Sequence, residues 1–254
     1  IANQIGKKKP DSVIVVGGGS TIDAVKAANV LATLDPDSVE PYFGMGLVTE
    51  RLNKEDKKLS PVIAVQTAAS SGAHLTKYSN ITDPSIEQKK LIIDNAIVPP
   101  FAIFDYRTIT GAPYAIKADG ALDGIAHCLE VVCGATGKPF LSKAMDIAEV
   151  GISLIVENLP RAIDNPEDKD AIEGLGLGTD LGGYAIMVGG TNYGHLFSFS
   201  LINRLTHGRA CAIADPYVIV FFTPAIEKQL KLIGGIFKKT GYINEDIKRY
   251  RGRD

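Results

Sequence analysis

The hydrophobic and polar positions of the first hundred residues form two alternating patterns, short apolar runs and longer runs with helical spacing. Residues 13–16 and 61–65 are almost entirely apolar, which is typical of strands buried on both faces of a parallel sheet. Residues 21–34 place apolar side chains three and four positions apart, so a helix is predicted there, stopped by Asp35-Pro36-Asp37. Two further strands are predicted, at residues 89–93 and 102–104. The alternation predicts an α/β sheet.

After about residue 111 the strand patterns give way to helical ones. Helices are predicted over residues 114–133, 141–157, 168–188 and 195–205. Residues 3–9 are typical of the end of a helix, and the charged residues 48–60 of a surface loop or helix edge. Two domains are therefore expected, an α/β domain over residues 1–110 and a helical domain over residues 111–254.

Composition and charge exclude several classes of partner. The chain has 254 residues, of which 45% are hydrophobic and 22% charged, as in an ordinary globular protein with a sizeable core. A net charge of -2 gives no reason to expect nucleic acid or an anionic membrane as partner. No apolar run approaches the roughly 20 residues of a membrane span. The three cysteines lack C-x-x-C spacing, and a reducing, cytoplasmic location is expected.

A glycine run follows the first predicted strand and opens the first predicted helix. Gly17, Gly18, Gly19 and Ser20 leave backbone N–H groups accessible at a helix start, where the helix dipole favours an anion such as a pyrophosphate. Asp23 lies one turn into the helix and complements the dipole. The run is neither a P-loop nor a G-x-G-x-x-G fingerprint, because no lysine precedes Ser20 and position 22 is isoleucine. A tight turn without a ligand is the alternative.

A second run of small residues, from Thr67 to Ala73, follows the second predicted strand. Two such loops at neighbouring strand ends would line one crevice, where open α/β sheets bind ligands. The alternative is that these small residues pack against a helix.

The four histidines are His74, His127, His195 and His207. Asp123 precedes His127 by four residues in a predicted helix, which places a carboxylate and an imidazole on one face. With His195 and His207 they would make a four-ligand set for Zn²⁺ or Fe²⁺. The alternative is that each histidine is a hydrogen-bonded residue of the core.

Five motifs in order resemble those of the iron-containing (group III) alcohol dehydrogenases. They are GGGS-x-x-D at residues 17–23, T-x-x-S-S-G at 67–72, D-G-x-A-H-x-x-E at 123–130, G-H-x-x-S-x-x-L at 194–201 and H-G-x-A-x-A-I at 207–213. The resemblance runs from about residue 11 to about residue 216. It implies a Rossmann-like nucleotide-binding domain followed by an all-helical metal-binding domain, the dehydroquinate synthase-like architecture, with the active site in the cleft between them.

The resemblance also implies the role of each matching residue. Gly17, Gly18, Gly19, Ser20, Asp23, Thr67 and Ser70 would bind NAD or NADP. Asp123, His127, His195 and His207 would bind Fe²⁺ or Zn²⁺, with His195 and His207 counted as catalytic. The implied reaction is hydride transfer between the nicotinamide and a small alcohol or aldehyde. The family often forms dimers, so a homodimer is the expected assembly.

The chain departs from the family pattern at several positions. The family usually has Gly-Ser-Glu where this chain has Gly72-Ala73-His74, so His74 would lie either at the surface or in the cleft. Phe199 stands where the family often has a histidine, and the gap between His195 and His207 is about two residues shorter than usual. The first βαβ unit and most of the C-terminal helices of the family are expected to be missing, and residues 241–254 match no family segment.

Related activities remain as alternatives to an alcohol dehydrogenase. A polyol or polyol-phosphate dehydrogenase, a dehydroquinate synthase and a hydroxyacid-oxoacid transhydrogenase share the architecture. A non-catalytic nucleotide-binding protein is disfavoured because it has no need of four metal ligands. A purely structural zinc site is disfavoured because such sites favour cysteine.

Overall fold

A computed structural model describes residues 1–34 and 37–244. It contains two compact units, Ile1–Thr67 with Gly72–Asp105, and Ala68–Ser71 with the residues from Tyr106 onward. The described strands are β1 (Val13–Gly17), β2 (Gly44–Met45), β3 (Val62–Gln66), β4 (Tyr78–Asp83), β5 (Gln88–Ile93) and β6 (Phe101–Phe104). The described helices are α1 (Ala2–Lys8), α2 (Gly19–Thr33), α3 (Leu47–Glu55), α4 (Tyr114–Gly134), α5 (Leu141–Asp164), α6 (Lys169–Val188), α7 (Tyr193–Ser198), α8 (His207–Phe222) and α9 (Glu227–Lys239).

The first unit contains a parallel sheet in the order β1-β3-β6. Val13 lies opposite Val62 and Ile63 opposite Phe101, so the predicted strands at residues 13–16, 61–65 and 102–104 are confirmed. Helix α2 packs on one face of this sheet, and Ile22 of the helix joins Val15 of β1 in a buried core. The strands therefore end beside one another and present their following loops at one edge of the sheet.

A second sheet of the first unit is mixed, in the order β2-β5-β4. The predicted strand at residues 89–93 belongs to this sheet, where β5 runs antiparallel to β4 with Tyr78 opposite Ile93. Lys26 of α2 is buried, and its ammonium donates hydrogen bonds to the carbonyl oxygens of Thr76 at 2.7 Å and Tyr78 at 2.8 Å. These bonds attach the helix that follows the glycine run to the region of β4.

The second unit is helical. Helices α4, α5 and α6 pack against one another, α8 packs against α4 and α7, and α9 packs against α5. Two glycines of α4 allow close packing against neighbouring segments. A Cβ on Gly124 would lie 2.9 Å from the Ile155 Cδ1 atom, and a Cβ on Gly120 would overlap the carbonyl oxygen of Ala69. The short Ala68–Ser71 segment therefore packs directly against α4. Each described helix is too short or too polar to cross a lipid bilayer.

One predicted helix is wrong over part of its length. The helix predicted over residues 195–205 is wrong beyond Ser198. The N–H groups of Phe199, Ser200 and Leu201 donate to carbonyls three residues back, as in turns, and Asn203 adopts a left-handed φ of 68°. For residues 48–60 a surface loop or a helix edge was expected, and their first part, up to Glu55, belongs to the helix α3. Helix α2 ends at Thr33 as expected, but the Asp35-Pro36 part of its predicted stop signal lies outside the described residues, as do residues 245–254 of the unmatched segment.

Candidate functional site

The four predicted metal ligands come together in the second unit. Asp123 and His127 lie one turn apart on α4, His195 lies on α7, and His207 is the first residue of α8. The Nε2 atoms of His127, His195 and His207 lie 3.6, 3.4 and 3.5 Å from one atom, the Asp123 Oδ1. Two donors each about 2.1 Å from a tetrahedral Zn²⁺ would be about 3.4 Å apart, so these separations match those of ligands to one ion.

Unsatisfied atoms in this cluster support a metal. Asp123 is 1% exposed and His195 is 5% exposed. Across residues 1–34 and 37–244, neither the Asp123 Oδ1 nor the His195 Nε2 has a hydrogen-bond partner. Leaving a buried carboxylate oxygen and a ring nitrogen without partners is costly, and a divalent cation would satisfy both. The residues present therefore fit the metal that the motifs imply.

The electrostatics favour the ligating forms of two of these groups. Burial would raise the pKa of Asp123, but the nearby imidazoles of His127, His207 and His195 outweigh burial and hold it well below its ordinary value. Burial lowers the pKa of His127 to about 4 despite the nearby Asp123. Burial also acts to lower the pKa of His195, but the neighbouring side chains of Asp123, Cys211 and Glu130 raise it well above its ordinary value. Near neutral pH, Asp123 is thus a carboxylate and His127 a neutral imidazole, the forms that bind metals.

Further side chains orient the predicted ligands. Glu130 of α4 lies with its Oε1 2.6 Å from the His195 Nδ1, and the same oxygen accepts from the His195 backbone N–H at 3.1 Å. The other Glu130 oxygen accepts from the Asn192 N–H at 2.6 Å. Because the Nδ1 is held on this side, the Nε2 of His195 is directed toward Asp123, as in carboxylate–histidine–metal triads.

The other ligands have comparable supports. The Ser70 hydroxyl donates to the Asp123 Oδ2 at 3.1 Å, and the Ser198 hydroxyl lies 3.0 Å from the His207 Nδ1. Phe199 stacks on His207 with ring centroids 6.4 Å apart. Ser70 is predicted to contact the cofactor, which stays a prediction; its observed partner is a metal-ligand candidate.

The sequence-based interpretation missed Glu130, Asn192 and Ser198 as functional residues. Glu130 closes the quoted D-G-x-A-H-x-x-E motif, so its i, i+3 relation to His127 was an available signal. Ser198 is likewise the serine of the quoted G-H-x-x-S-x-x-L motif. Asn192 carried no comparable signal, because its role depends on how α7 packs beside α4.

Glu130→Gln is expected to weaken Zn²⁺ binding by about 10- to 100-fold, the usual effect of removing a group that orients a ligand. The amide keeps the size of the carboxylate but loses its charge and one of its two acceptor oxygens. Competition with a chromophoric chelator measures the affinity. The exposed Glu157→Gln on α5 is the matched control. Equal Zn²⁺ affinity in the Glu130 and Glu157 variants would show that His195 is oriented without Glu130.

The glycine run lies where the sequence predicts it, between β1 and α2. Gly17 ends β1, Gly18 is the N-cap of α2, and Gly19 is the first helical residue. A Cβ on Gly17 would lie 2.7 Å from the Thr21 Cβ, so only glycine fits this turn. The Thr67 N–H donates to the Gly17 carbonyl at 3.1 Å, which joins the second loop to the first. The first N–H groups of α2 therefore open at the end of the parallel sheet, where an anion can bind.

Asp23 and His74 are both buried in the first unit. Asp23 is buried, and its carboxylate accepts from the Asn80 N–H at 3.0 Å, so its predicted cofactor contact stays a prediction. His74 is 2% exposed and lies edge-on to Phe104 with ring centroids 5.6 Å apart. The alternative that His74 is a surface residue is therefore wrong.

Two family models match this chain, and both describe the same family. The family model described as "Iron-containing alcohol dehydrogenase" matches residues 1–106, and "Fe-containing alcohol dehydrogenase family, C-terminal" matches residues 117–249. The match extends beyond the expected limits of residues 11 and 216 and includes part of the segment at 241–254.

Individual relatives agree with this assignment. The chain is 28% identical over 213 residues to an NAD-dependent methanol dehydrogenase of Bacillus methanolicus, covering 83% of this chain and 53% of the relative. It is 29% identical over 214 residues to alcohol dehydrogenase 4 of Saccharomyces cerevisiae, covering 84% and 53%. The chain thus spans about half the length of these curated relatives.

A solved structure shows the same fold. The alcohol dehydrogenase from Oenococcus oeni superposes with a TM-score of 0.83 at 23% identity, covering 100% of this chain and 62% of that one. This likeness confirms the expected fold class, an α/β Rossmann-like part followed by a helical part. From the family models, which together match nearly the whole chain, it follows that the chain belongs to the iron-containing alcohol dehydrogenases.

Proposed function

We propose that this chain carries the metal site and the nucleotide loop of an NAD(P)-linked alcohol dehydrogenase that interconverts a small alcohol and its aldehyde. The observation that carries the proposal is the convergence of three imidazole Nε2 atoms on the Asp123 Oδ1 at 3.4–3.6 Å. The B. methanolicus relative acts on methanol with NAD according to its name, and we extend that reaction class to this chain.

Asp123, His127, His195 and His207 would hold the metal. A bound Fe²⁺ or Zn²⁺ supplies Lewis acidity toward an alcohol or carbonyl oxygen. Asp123 is the one anion among the four ligands and compensates part of the ion's charge. Glu130, Ser198 and Ser70 orient His195, His207 and Asp123, so the donors are positioned before substrate arrives. The burial of Asp123 and His195 keeps bulk water from these atoms.

The residues from Gly17 to Ser20 would bind the pyrophosphate of NAD or NADP through backbone N–H groups at the start of α2. Their lack of side chains allows the close approach, and the helix dipole stabilises the negative charge. Thr67 lies beside Gly17 through its backbone hydrogen bond and would contact the same cofactor. We propose residues 1–110 as the nucleotide-binding domain, residues 111–254 as the metal-binding domain, and a cytoplasmic homodimer as the assembled form.

A spectrophotometric assay with the purified chain tests the reaction. The protein is stripped of metal, reloaded with Fe²⁺ or Zn²⁺, and mixed with NADH or NADPH and a series of short aldehydes. We expect oxidation of the reduced nucleotide in proportion to the metal content. The absence of oxidation with every aldehyde, while metal and nucleotide are both shown to be bound, would contradict a dehydrogenase of small aldehydes.

A further inference from the structure

Asp215 is a buried acid that the proposed reaction does not use. It lies on α8, in the same helix as His207, and is 4% exposed. Aspartate is almost never fully buried unless it is paired. The partner of Asp215 therefore decides what this residue does.

The partner of Asp215 is Glu130 of α4, to which its carboxyl group hydrogen-bonds. The two side chains meet beside Gly194 of α7, because a Cβ on this glycine would overlap the Asp215 Oδ1 and lie 2.7 Å from the Glu130 Oε1. Helix α4 packs against α8, and α7 packs against both. Two carboxyl groups from neighbouring helices thus share one buried place beside the helix that carries His195.

A hydrogen bond between two carboxyl groups needs one proton, and the contacts of Glu130 indicate which group carries it. The Glu130 Oε2 accepts from the Asn192 N–H at 2.6 Å, and the Oε1 accepts from the His195 N–H at 3.1 Å. The same Oε1 lies 2.6 Å from the His195 Nδ1. Both oxygens of Glu130 thus act as acceptors, as they do in an ionised carboxylate, so Asp215 is the protonated partner and the donor.

The electrostatics of Asp215 agree with this direction of the hydrogen bond. Burial and the neighbouring charge of Glu130 raise the pKa of Asp215 well above its ordinary value, and the nearby His195 opposes them only in part. Two ionised carboxylates in contact away from water repel each other, whereas a neutral acid donates to a carboxylate. The pair is therefore stable in the interior with a single negative charge.

Glu130 connects Asp215 to the predicted metal ligands. Because Glu130 holds the Nδ1 of His195, the Nε2 of this ring is directed toward the Asp123 Oδ1, 3.4 Å away. A donor on the far side of Glu130 limits the rotation of its carboxylate. Groups that orient a ligating histidine from outside the ligand set in this way contribute to metal affinity.

We propose that Asp215 is a positioning residue of the metal site, which donates a hydrogen bond to Glu130 and thereby fixes the orientation of His195. The three side chains form a series of hydrogen bonds from a neutral acid through a carboxylate to an imidazole. The proposal rests on the metal site of the proposed function and leaves its four ligands unchanged.

Replacing Asp215 by a donor and by a non-donor of similar size tests this role. Asp215→Asn keeps a donor, because the side-chain amide can give an N–H to Glu130, so its Zn²⁺ affinity should stay close to that of the parent chain. Asp215→Leu has no donor, and its Zn²⁺ affinity should fall by about tenfold, the lower end of the cost of losing an orienting group. Competition with a chromophoric chelator measures both affinities. The exposed Asp146→Asn on α5 is the matched control.

Infrared spectroscopy of the metal-free chain tests the shared proton separately from the metal. The carbonyl stretch of a protonated carboxyl group absorbs above the amide band, where an ionised carboxylate does not absorb. Near neutral pH we expect such a band in the parent chain and in Asp146→Asn, and its loss in Asp215→Asn and Asp215→Leu. A difference spectrum between parent and variant that lacks the band would overturn Asp215 as the donor.

The outcomes separate this proposal from the proposed function. Zn²⁺ affinity that is equal in the parent chain and in Asp215→Leu, or that falls as far in Asp215→Asn as in Asp215→Leu, would overturn the positioning role and leave the metal site in place. A parent chain that binds no Zn²⁺ would overturn the metal site, and the positioning role with it. If Asp215→Leu does not fold, Asp215→Ala takes its place, since alanine also lacks a donor.

Discussion

Asp123→Asn is expected to lower the affinity of the chain for Zn²⁺ by more than about 100-fold, since losing a group that only supports a ligand already costs about 10- to 100-fold. The substitution keeps the shape of the side chain but removes the negative charge. It also alters the one oxygen that lies within 3.6 Å of all three imidazole Nε2 atoms. Titration against a chelator of known affinity gives the dissociation constant.

The matched control for this variant is Asp119→Asn, one turn earlier on α4. The Asp119 carboxylate accepts from the Arg209 N–H at 3.0 Å, and an asparagine oxygen can accept the same bond. Zn²⁺ affinity should therefore stay unchanged in the control. If Asp123→Asn bound Zn²⁺ as tightly as the control, Asp123 would not be a ligand, and the assignment of the whole site would have to be revised.

Gly208→Ala is expected to destabilise the second unit by about 3 kcal/mol or more, near or beyond the upper end of the usual cost of overpacking. A Cβ at this position would overlap the carbonyl oxygen of Asp119 and lie 2.8 Å from the backbone nitrogen of Asp123. Both are backbone atoms of α4, so no side-chain rotation relieves the clash. The two helices would have to separate, and His207 would move with α8. The measurement is the free energy of unfolding from denaturant titration.

Gly235→Ala on α9 is the control for this prediction. A Cβ there meets nothing within 4 Å, and the residue is exposed, so alanine should stabilise the helix by about 0.5–1 kcal/mol. We expect the free energy of unfolding to fall in Gly208→Ala and to rise in Gly235→Ala. A Gly208→Ala variant as stable as the parent chain would mean that α4 and α8 do not pack as closely as described.

Part of the site was predictable from spacing. The four-residue interval between Asp123 and His127 places both on one face of a helix, whatever the rest of the fold does. His195 and His207 were included because they follow in the same predicted helical half and because the motifs matched, but residues 72 and 84 positions after Asp123 have no necessary relation to α4. Their approach depends on the packing of α7 and α8, which local patterns do not encode.

Other features could not be predicted from the sequence, and the physical reason can be given for each. Strand β4 has the sequence YSNITD, which lacks alternating apolar residues; its place depends on pairing with β5 and on hydrogen bonds with α2. At the end of α7, after Ser198, the backbone changes to the hydrogen bonds of turns, which the apolar spacing does not reveal. Glu130 could be noticed as a motif residue, but its hydrogen bonds reach α7, so its function was visible only once the helices were placed. The glycine run, in contrast, was located correctly because strand, turn and helix signals agree locally.

The closely packed glycines of α4 and α8 also limit how the chain can be engineered for heat resistance. Replacing helical glycines by alanine is a common route to thermostability, because alanine reduces the entropy of the unfolded chain. At Gly120, Gly124 and Gly208 alanine would destabilise the chain instead, because a methyl group would clash with backbone or core atoms of a neighbouring element. Thermostabilisation by this substitution therefore has to begin at open positions such as Gly235, and the helices that carry the predicted metal ligands would benefit least.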